Sequence, residues 1–296
     1  MKALVIGSTG FIGKNLCEHL KRQGFEVRTI SRSEDTSEDH HICDLEKDFP
    51  HQSIFDGINC VFHLAGYAHD LSDPKKSYEK YKNLNVRATK VLCQMADLAR
   101  VKSFIFLSSV KAGNSNINSR PNDFRSIYGE TKRQAEKFLL SYQPENNMRI
   151  NIIRPALVYG PDMKGNLKNM LKGIQEGWFP PMPKLNNKRS MVHVHDLILA
   201  IMIVNNAEQS NKEIYIATDG LHYSTSDIYE ILMEISGRNI PNYRFPLFLL
   251  RLIGLLSSNL RFKIQKLLGD EVYDPIKLYN IGFKPKKSLK DLFLHK

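Results

Sequence analysis

Cysteine, tryptophan and long apolar runs are all scarce in this sequence. Its four cysteines, Cys17, Cys43, Cys60 and Cys93, form no CxxC pair and no His/Cys group at zinc-ligand spacing. That excludes a disulfide scaffold and a zinc ribbon, predicts no metal site, and points to buried, reduced thiols in a cytoplasmic protein. The longest apolar run, 245–256, is interrupted by Arg251 and falls short of the roughly 20 residues a spanning helix needs. Directly after Met1-Lys2 the chain enters Ala3-Leu4-Val5-Ile6, so this end is read as part of the fold and not as a signal peptide. Internal repeats and low-complexity linkers are missing too. Acidic residues are outnumbered, 31 to 42, which leaves the 296-residue chain at +11. Such a surplus suits a nucleic acid, a membrane surface or an anionic small molecule.

What is present is an alternation. Short apolar runs at 3–6, 26–30, 60–64, 103–107 and 149–153 read as strands, the last stopped by Pro155. Helical spacing fills 12–22, 78–99 and 127–140. Strands alternating with helices predict a parallel, doubly wound Rossmann-like α/β sheet, and nearly continuous apolar strands predict burial on both faces. Beyond Pro155 the texture changes to loop with one short helix, then a helix at 195–204 and a returning strand at 213–217. The expected division is a dinucleotide-binding domain over 1–160, completed by about 193–217. A smaller, mostly helical substrate lobe is then drawn from 161–192 and 218–296.

Between the first strand and helix lies Gly7-Ser8-Thr9-Gly10-Phe11-Ile12-Gly13. Glycines there allow a tight turn and close approach of a pyrophosphate to the helix N-terminus, whose N–H groups and dipole favour an anion. At the end of the second strand an acidic residue would select NAD, but the chain has Ser31-Arg32 and no carboxylate before Glu34. Ser31 can donate to a 2′-phosphate and Arg32 can pair with it, so the reading favours NADP(H), with NAD(H) as the other candidate. Arg28 is a further basic residue on that strand.

Tyr128-Gly129-Glu130-Thr131-Lys132 opens the third helical pattern. Spacing of i,i+4 puts the phenol and the ammonium on one helix face, where a fixed ammonium would favour the phenolate and ease proton exchange. Upstream, the strand at 103–107 runs into Ser108-Ser109, which places a hydroxyl at the C-terminal end of a parallel strand, facing the ligand crevice. Together these groups suit carbonyl/alcohol chemistry.

In this order the motifs resemble those of the extended short-chain dehydrogenase/reductases, in the NAD-dependent epimerase/dehydratase family that acts on nucleotide sugars. Besides the glycine loop and YxxxK, the matching residues are Cys43-Asp44-Leu45, His63-Leu64-Ala65-Gly66, Asn85-Val86-x-x-Thr89 and Leu107-Ser108-Ser109. Further along they are Arg154-Pro155-x-x-Val158-Tyr159-Gly160-Pro161, Arg189-Ser190-Met191-Val192-His193-Val194-x-Asp196 and Asn280-Ile281-Gly282-Phe283-x-Pro285. The resemblance implies that Ser109, Tyr128 and Lys132 are catalytic. It implies cofactor contacts from Gly7, Thr9, Gly10, Phe11, Ile12, Gly13, Ser31 and Arg32. Asp44, Leu45, Leu64, Ala65, Gly66, Asn85, Tyr128, Lys132 and Pro155 complete that set. Ser109, Lys164, Asn166, Lys172 and Arg189 fall where relatives hold substrate.

Arg154-Pro155-Ala156-Leu157 departs from the Asn-containing run of some epimerases, and the stretch 154–166 is similar to bacterial polysaccharide-pathway 4-ketoreductases. The implied reaction is NADPH-dependent reduction of the 4-keto group of a UDP-linked 6-deoxy-4-hexulose carrying a 2-acetamido group. A UDP-N-acetylglucosamine or UDP-glucose 4-epimerase with tightly held NAD is the alternative. A non-catalytic nucleotide- or RNA-binding protein of this fold is a third reading, disfavoured because the full Ser/Tyr/Lys set is present and no aromatic-basic RNA motif is seen. The expected partner is therefore a nucleotide sugar and not a nucleic acid, with a homodimer as a further expectation. His193 and His195 are read as structural residues alternating along an apolar run, and Trp178 as a loop anchor or a pocket wall. For 245–262, packing of a helix over the substrate lobe is preferred to peripheral membrane contact.

Overall fold

The computed structural model describes residues 1–67, 74–113, 124–257, 261, 264–265 and 267–293. In chain order its strands are β1 (Lys2–Ile6), β2 (Glu26–Ser31), β3 (Asp39–Ile42), β4 (Cys60–His63) and β5 (Ser103–Leu107). They continue with β6 (Arg149–Pro155), β7 (Leu157–Tyr159), β8 (Arg189–His193), β9 (Ile214–Ala217) and β10 (His222–Tyr223). The helices are α1 (Phe11–Arg22), α2 (Pro74–Lys82), α3 (Ala88–Leu98), α4 (Phe124–Ser141) and α5 (Asn166–Glu176). After them come α6 (Val194–Asn206), α7 (Thr225–Ile235), α8 (Leu247–Ile253) and α9 (Ile276–Asn280).

Seven strands form one parallel sheet in the order β3-β2-β1-β4-β5-β6-β9. This is the doubly wound arrangement, and its order reverses between β1 and β4, where such folds open a crevice at the strand C-termini. The strands form because their side chains are apolar on both faces: every residue of β4 and β5 is buried. Leu4, Ile6, Val61, Phe104, Phe106 and Ile152 sit in the main hydrophobic cluster. Fully burying a side chain of that size contributes roughly 1.5–3 kcal/mol.

Two expected elements differ. The helix anticipated over 78–99 runs from Pro74 to Leu98 and passes through a π turn at Asn83–Arg87 between α2 and α3. That turn buries Leu84, Asn85 and Val86, and such bulges re-aim side chains within a helix. Strand β6 does not stop short of Pro155, because Pro155 still pairs with Ala217. A proline in the last strand position sacrifices little of the ladder.

The chain packs as two compact units, one of Met1–Ala156, Leu197–Ala217 and Pro275–Lys284, the other of Leu157–Asp196, Thr218–Asp274 and Pro285–Lys296. Segment 275–284 thus belongs with the large sheet, where Leu278 and Phe283 are buried and Lys277 pairs with Glu213 at 2.8 Å. Besides its helices the second unit carries a three-stranded sheet, β10-β8-β7. Its β8 strand ends at His193, and His195 already lies in the first turn of α6. The two histidines therefore do not alternate along one run, and instead their rings meet edge to face at 4.9 Å. Asp196 ties α6 to the C-terminal segment by accepting from the backbone N–H groups of Lys286 and Lys287 at 3.0 and 2.8 Å. Among the described residues no helix is long and apolar enough to cross a membrane, and no cluster of His, Cys, Asp or Glu could hold a metal.

Candidate functional site

The β1–α1 turn is shaped by backbone contact. Gly7 has φ +95°, and a Cβ on it would lie 2.8 Å from the Ala65 nitrogen. A Cβ on Gly13 would lie 2.2 Å from the Gly7 carbonyl oxygen and 2.9 Å from Ser8 Cα. Side chains are excluded at both positions, so α1 packs directly on the turn. Gly10 caps α1 with no side-chain hydrogen bond, which leaves the first N–H groups of the helix available to an anion. Beside them Ser8 Oγ is buried without a partner among the described residues. Thr9, Phe11 and Ile12 are half-buried around this turn. The donor set and the cradle fit a dinucleotide pyrophosphate.

Among the other expected cofactor residues of this unit, Ser31, Arg32, Asp44, Leu45, Leu64, Ala65, Gly66 and Pro155 stand at or beyond strand C-termini, whereas Asn85, Tyr128 and Lys132 are on helical segments. Ser31 ends β2 and Arg32 follows it. The Ser31 hydroxyl donates to the Ser33 carbonyl and accepts from the Ser33 N–H at 3.3 Å, so its proton is engaged within its own turn. Arg32 is exposed and makes no ion pair among the described residues. Arg28 is committed elsewhere, to Asp39 at 2.8 Å and to the Ile54 carbonyl at 2.8 Å. Asp44 and Leu45 follow β3, Asp44 pairing with Lys47 at 3.5 Å and Leu45 buried in the main cluster. Leu64 and Ala65 follow β4, and both donate to the Ile6 carbonyl at 2.9 Å. Pro155 closes β6.

Ser109 lies just past β5 and accepts from the Lys111 N–H at 3.2 Å. Tyr128, half-buried near the start of α4, shares a hydrogen bond with the Ser109 hydroxyl. Gly129 makes this approach possible: a Cβ there would meet the Lys111 carbonyl oxygen at 2.5 Å. The Tyr128 ring lies 6.4 Å from that of Tyr81. Lys132 is 3% exposed, donates to the Leu107 carbonyl at 2.9 Å, and stands 4.4 Å above the Phe106 ring. The structure thus brings Ser109, Tyr128 and Lys132 to the end of one strand.

Burial dominates the electrostatics. It pushes the Tyr128 phenol up to about 12, opposed by the Ser109 hydrogen bond. It pushes the Lys132 ammonium down to about 7, opposed by Glu136. Desolvation is the largest influence on both groups, and the bond to Leu107 takes one of the three donors of the Lys132 ammonium. A lysine near neutrality can still give or accept a proton at physiological pH.

Asn85 braces the floor. It accepts from the Tyr67 N–H at 2.9 Å and donates to Thr131 Oγ1 at 3.1 Å, joining the loop after β4 to α4. Gly66 lies against Lys132 and Asn85, since a Cβ there would come 2.8 Å from Lys132 Nζ and 3.2 Å from Asn85 Oδ1, so that a side chain at 66 would have to displace the Lys132 ammonium. Next to it His63 is fully buried and held down to about 3, by desolvation first and Lys132 second. Thr89 gives its proton to the Asn85 carbonyl, so His63 Nε2 must donate to Thr89 Oγ1. His63, Gly129 and Glu136 were not singled out as site residues. Of the three, His63 falls in the His63-Leu64-Ala65-Gly66 motif and Gly129 is a glycine inside a helical pattern, while Glu136 carries no sequence signal.

The expected substrate residues Lys164, Asn166, Lys172 and Arg189 are all in the second unit. Lys164 and Asn166 are exposed, Asn166 as the first residue of α5. Lys172 pairs with Glu176 at 3.6 Å, and Arg189 is buried against Glu271 at 3.3 Å. Trp178 is 59% exposed, donates to Glu176 at 2.7 Å and lays its ring against Gly173.

Known proteins agree with this architecture. The chain is 26% identical to a UDP-glucose 4-epimerase of Vibrio cholerae, over 98% of this chain and 92% of that one. It is 23% identical to the N-acetyl-alpha-D-glucosaminyl-diphospho-ditrans,octacis-undecaprenol 4-epimerase of Escherichia coli O157:H7, over 95% and 89%. In fold it is similar to the UDP-glucuronic acid 4-epimerase of Bacillus cereus solved with NAD. That match has a TM-score of 0.76 at 19% identity and covers 99% of this chain and 96% of that one. Residues 3–217 carry the sequence pattern of the NAD dependent epimerase/dehydratase family, and the chain belongs to that family.

Proposed function

We propose that this chain reduces the 4-keto group of a nucleotide-linked sugar with NADPH, the substrate being a UDP-linked 6-deoxy-4-hexulose with a 2-acetamido group. The observation that carries the reading is the Ser109–Tyr128 hydrogen bond at the end of β5, with Lys132 buried behind it. NADPH, when bound, supplies the hydride for C4. Ser109 holds the carbonyl oxygen and shares the charge that develops on it. Tyr128, whose phenol oxygen carries its proton at neutral pH, protonates that oxygen. Lys132 replenishes the proton and positions the cofactor ribose. The glycine cradle at Gly7, Gly10 and Gly13 binds the pyrophosphate. The unpaired Arg32 receives the 2′-phosphate, which Arg28 cannot do while it is held by Asp39. Lys164, Asn166, Lys172 and Arg189 are the proposed contacts to the substrate diphosphate.

A second reading, a 4-epimerase retaining NAD, is favoured by the two epimerase relatives. One experiment separates them. Purified protein is denatured and its released nucleotide identified by mass, then native protein is incubated with UDP-GlcNAc without added cofactor, or with NADPH and the 4-keto sugar. Stoichiometric NADPH oxidation with no UDP-GalNAc supports the reductase. Retained NAD and UDP-GalNAc formation overturn it in favour of the epimerase.

A further inference from the structure

A group of large apolar side chains lies exposed on the second unit, with none of the described residues packed over it. Phe248 and Leu252 stand one turn apart on α8, and Leu255 and Leu256 follow in the turn just beyond its end. All four are between 53% and 78% exposed, and Tyr243 just before them is 70% exposed. Pro246 caps α8 without a side-chain bond, and Leu249 and Leu250 donate back to its carbonyl at 3.1 and 3.4 Å, which fixes where α8 starts. Its other side packs as expected: Leu247, Leu249 and Leu250 are half-buried, and the Phe245 N–H donates to the Pro181 carbonyl at 3.3 Å.

The charge around this patch is of one sign. From Ile235 to Gly269 the sequence holds Arg238, Arg244, Arg251, Arg261, Lys263 and Lys266, and no Asp or Glu. Arg244 reaches outside this segment for its partner, Glu230 at 2.7 Å, and Arg261 is exposed. Exposed leucines with phenylalanine and tyrosine, set in a segment bare of carboxylates, match the two halves of a bilayer surface: acyl chains for the apolar patch, anionic headgroups for the arginines and lysines. A second copy of the chain fits less well. A two-fold contact would set this patch against itself, bringing basic segment to basic segment with no acid to answer it.

We propose that the surface centred on Phe248, Leu252, Leu255 and Leu256 is a peripheral docking site for an anionic phospholipid membrane. The proposal is independent of which sugar reaction the first unit performs. Its test is flotation of the full chain with vesicles of phosphatidylcholine alone and of phosphatidylcholine mixed with phosphatidylglycerol. The chain is expected to float with the mixed vesicles only and to be released as salt rises. The double variant L255E/L256E is expected to lose about tenfold in vesicle binding. Its melting temperature and NADPH affinity should stay unchanged, because both side chains are exposed. F248S, which adds no charge, is expected to weaken binding in the same direction. Failure of the wild type to float with mixed vesicles overturns the proposal, as does flotation untouched by L255E/L256E and F248S. So does a wild-type dimer that these variants split without any vesicle binding, since the patch would then be a self-association face.

Discussion

Glu136 and Arg154 lock together as a forked ion pair, Arg154 Nε 2.8 Å from one carboxylate oxygen and Nη2 2.5 Å from the other. The pair fastens α4 to β6, and Glu136 is 2% exposed. It also stands one helical turn beyond Lys132, whose ammonium it supports against desolvation. Replacing Glu136 by Gln strands the Arg154 charge in a partly buried site and is expected to cost about 3–5 kcal/mol. Urea unfolding checks this, and the double variant E136Q/R154M should recover most of the loss. Equal instability of single and double variants would show that the pair is not what matters.

Tyr128→Phe removes the proton donor and keeps the ring beside Tyr81. Turnover should fall by about 10²–10⁴-fold, with the substrate KM and NADPH affinity changed by less than about threefold. Ser109→Ala should act in the same direction and more weakly, since backbone and solvent can partly replace its hydrogen bond. Steady-state kinetics beside a cofactor titration separates the two effects.

A methyl group at Gly13 would point into the Gly7 carbonyl from 2.2 Å. Because the obstacle is backbone, neither side can yield without opening the turn. Gly13→Ala is therefore expected to weaken dinucleotide binding by at least about tenfold and to destabilise the fold by about 1–3 kcal/mol. Calorimetric titration and thermal unfolding give the two numbers.

Lys132 falls from its ordinary 10.5 to about 7 in the folded chain. Between those values the unfolded chain binds a proton that the folded chain does not, so stability rises with pH across that window. Tyr128 works oppositely. Its phenol moves from 10.0 to about 12, the unfolded chain loses the proton first, and stability falls above about pH 10. Urea midpoints compared at about pH 7 and about pH 9 should increase in the wild type and stay flatter in Lys132→Met. An equal rise in both proteins would mean that Lys132 is not the group responsible.

Much of the first unit could be read from residue order. Parallel strands buried on both faces leave nearly continuous apolar runs, which is why 103–107 was placed with its bounds and 3–6 within a residue. The glycine loop was legible because backbone contact removes side chains, and the positions of Ser109 just past β5 and of Tyr128 in the second turn of α4 follow from local residue order. Asn85 shows where local reading ends. Its motif was visible, but the π turn that carries it is fixed by tertiary bonds to Tyr67 and Thr131. The small sheet of the second unit was missed for a similar reason. Its strands have two to five residues, and β8 runs straight into α6, so no change of period marks the boundary. Glu136 and Arg154 could not be paired at all, since nothing in spacing joins a helix residue to a strand end.

The segmented make-up of the two units has a consequence for how such an enzyme can be re-engineered or diversified. The chain changes unit after Ala156, Asp196, Ala217, Asp274 and Lys284. A single crossover after Ala156 between two homologous genes carries the whole second unit, but it carries 197–217 and 275–284 with it and so leaves the first unit a mosaic of both parents. A designed chimera that keeps the first unit intact must move 157–196, 218–274 and 285–296 while leaving 197–217 and 275–284 in place, which takes five breakpoints.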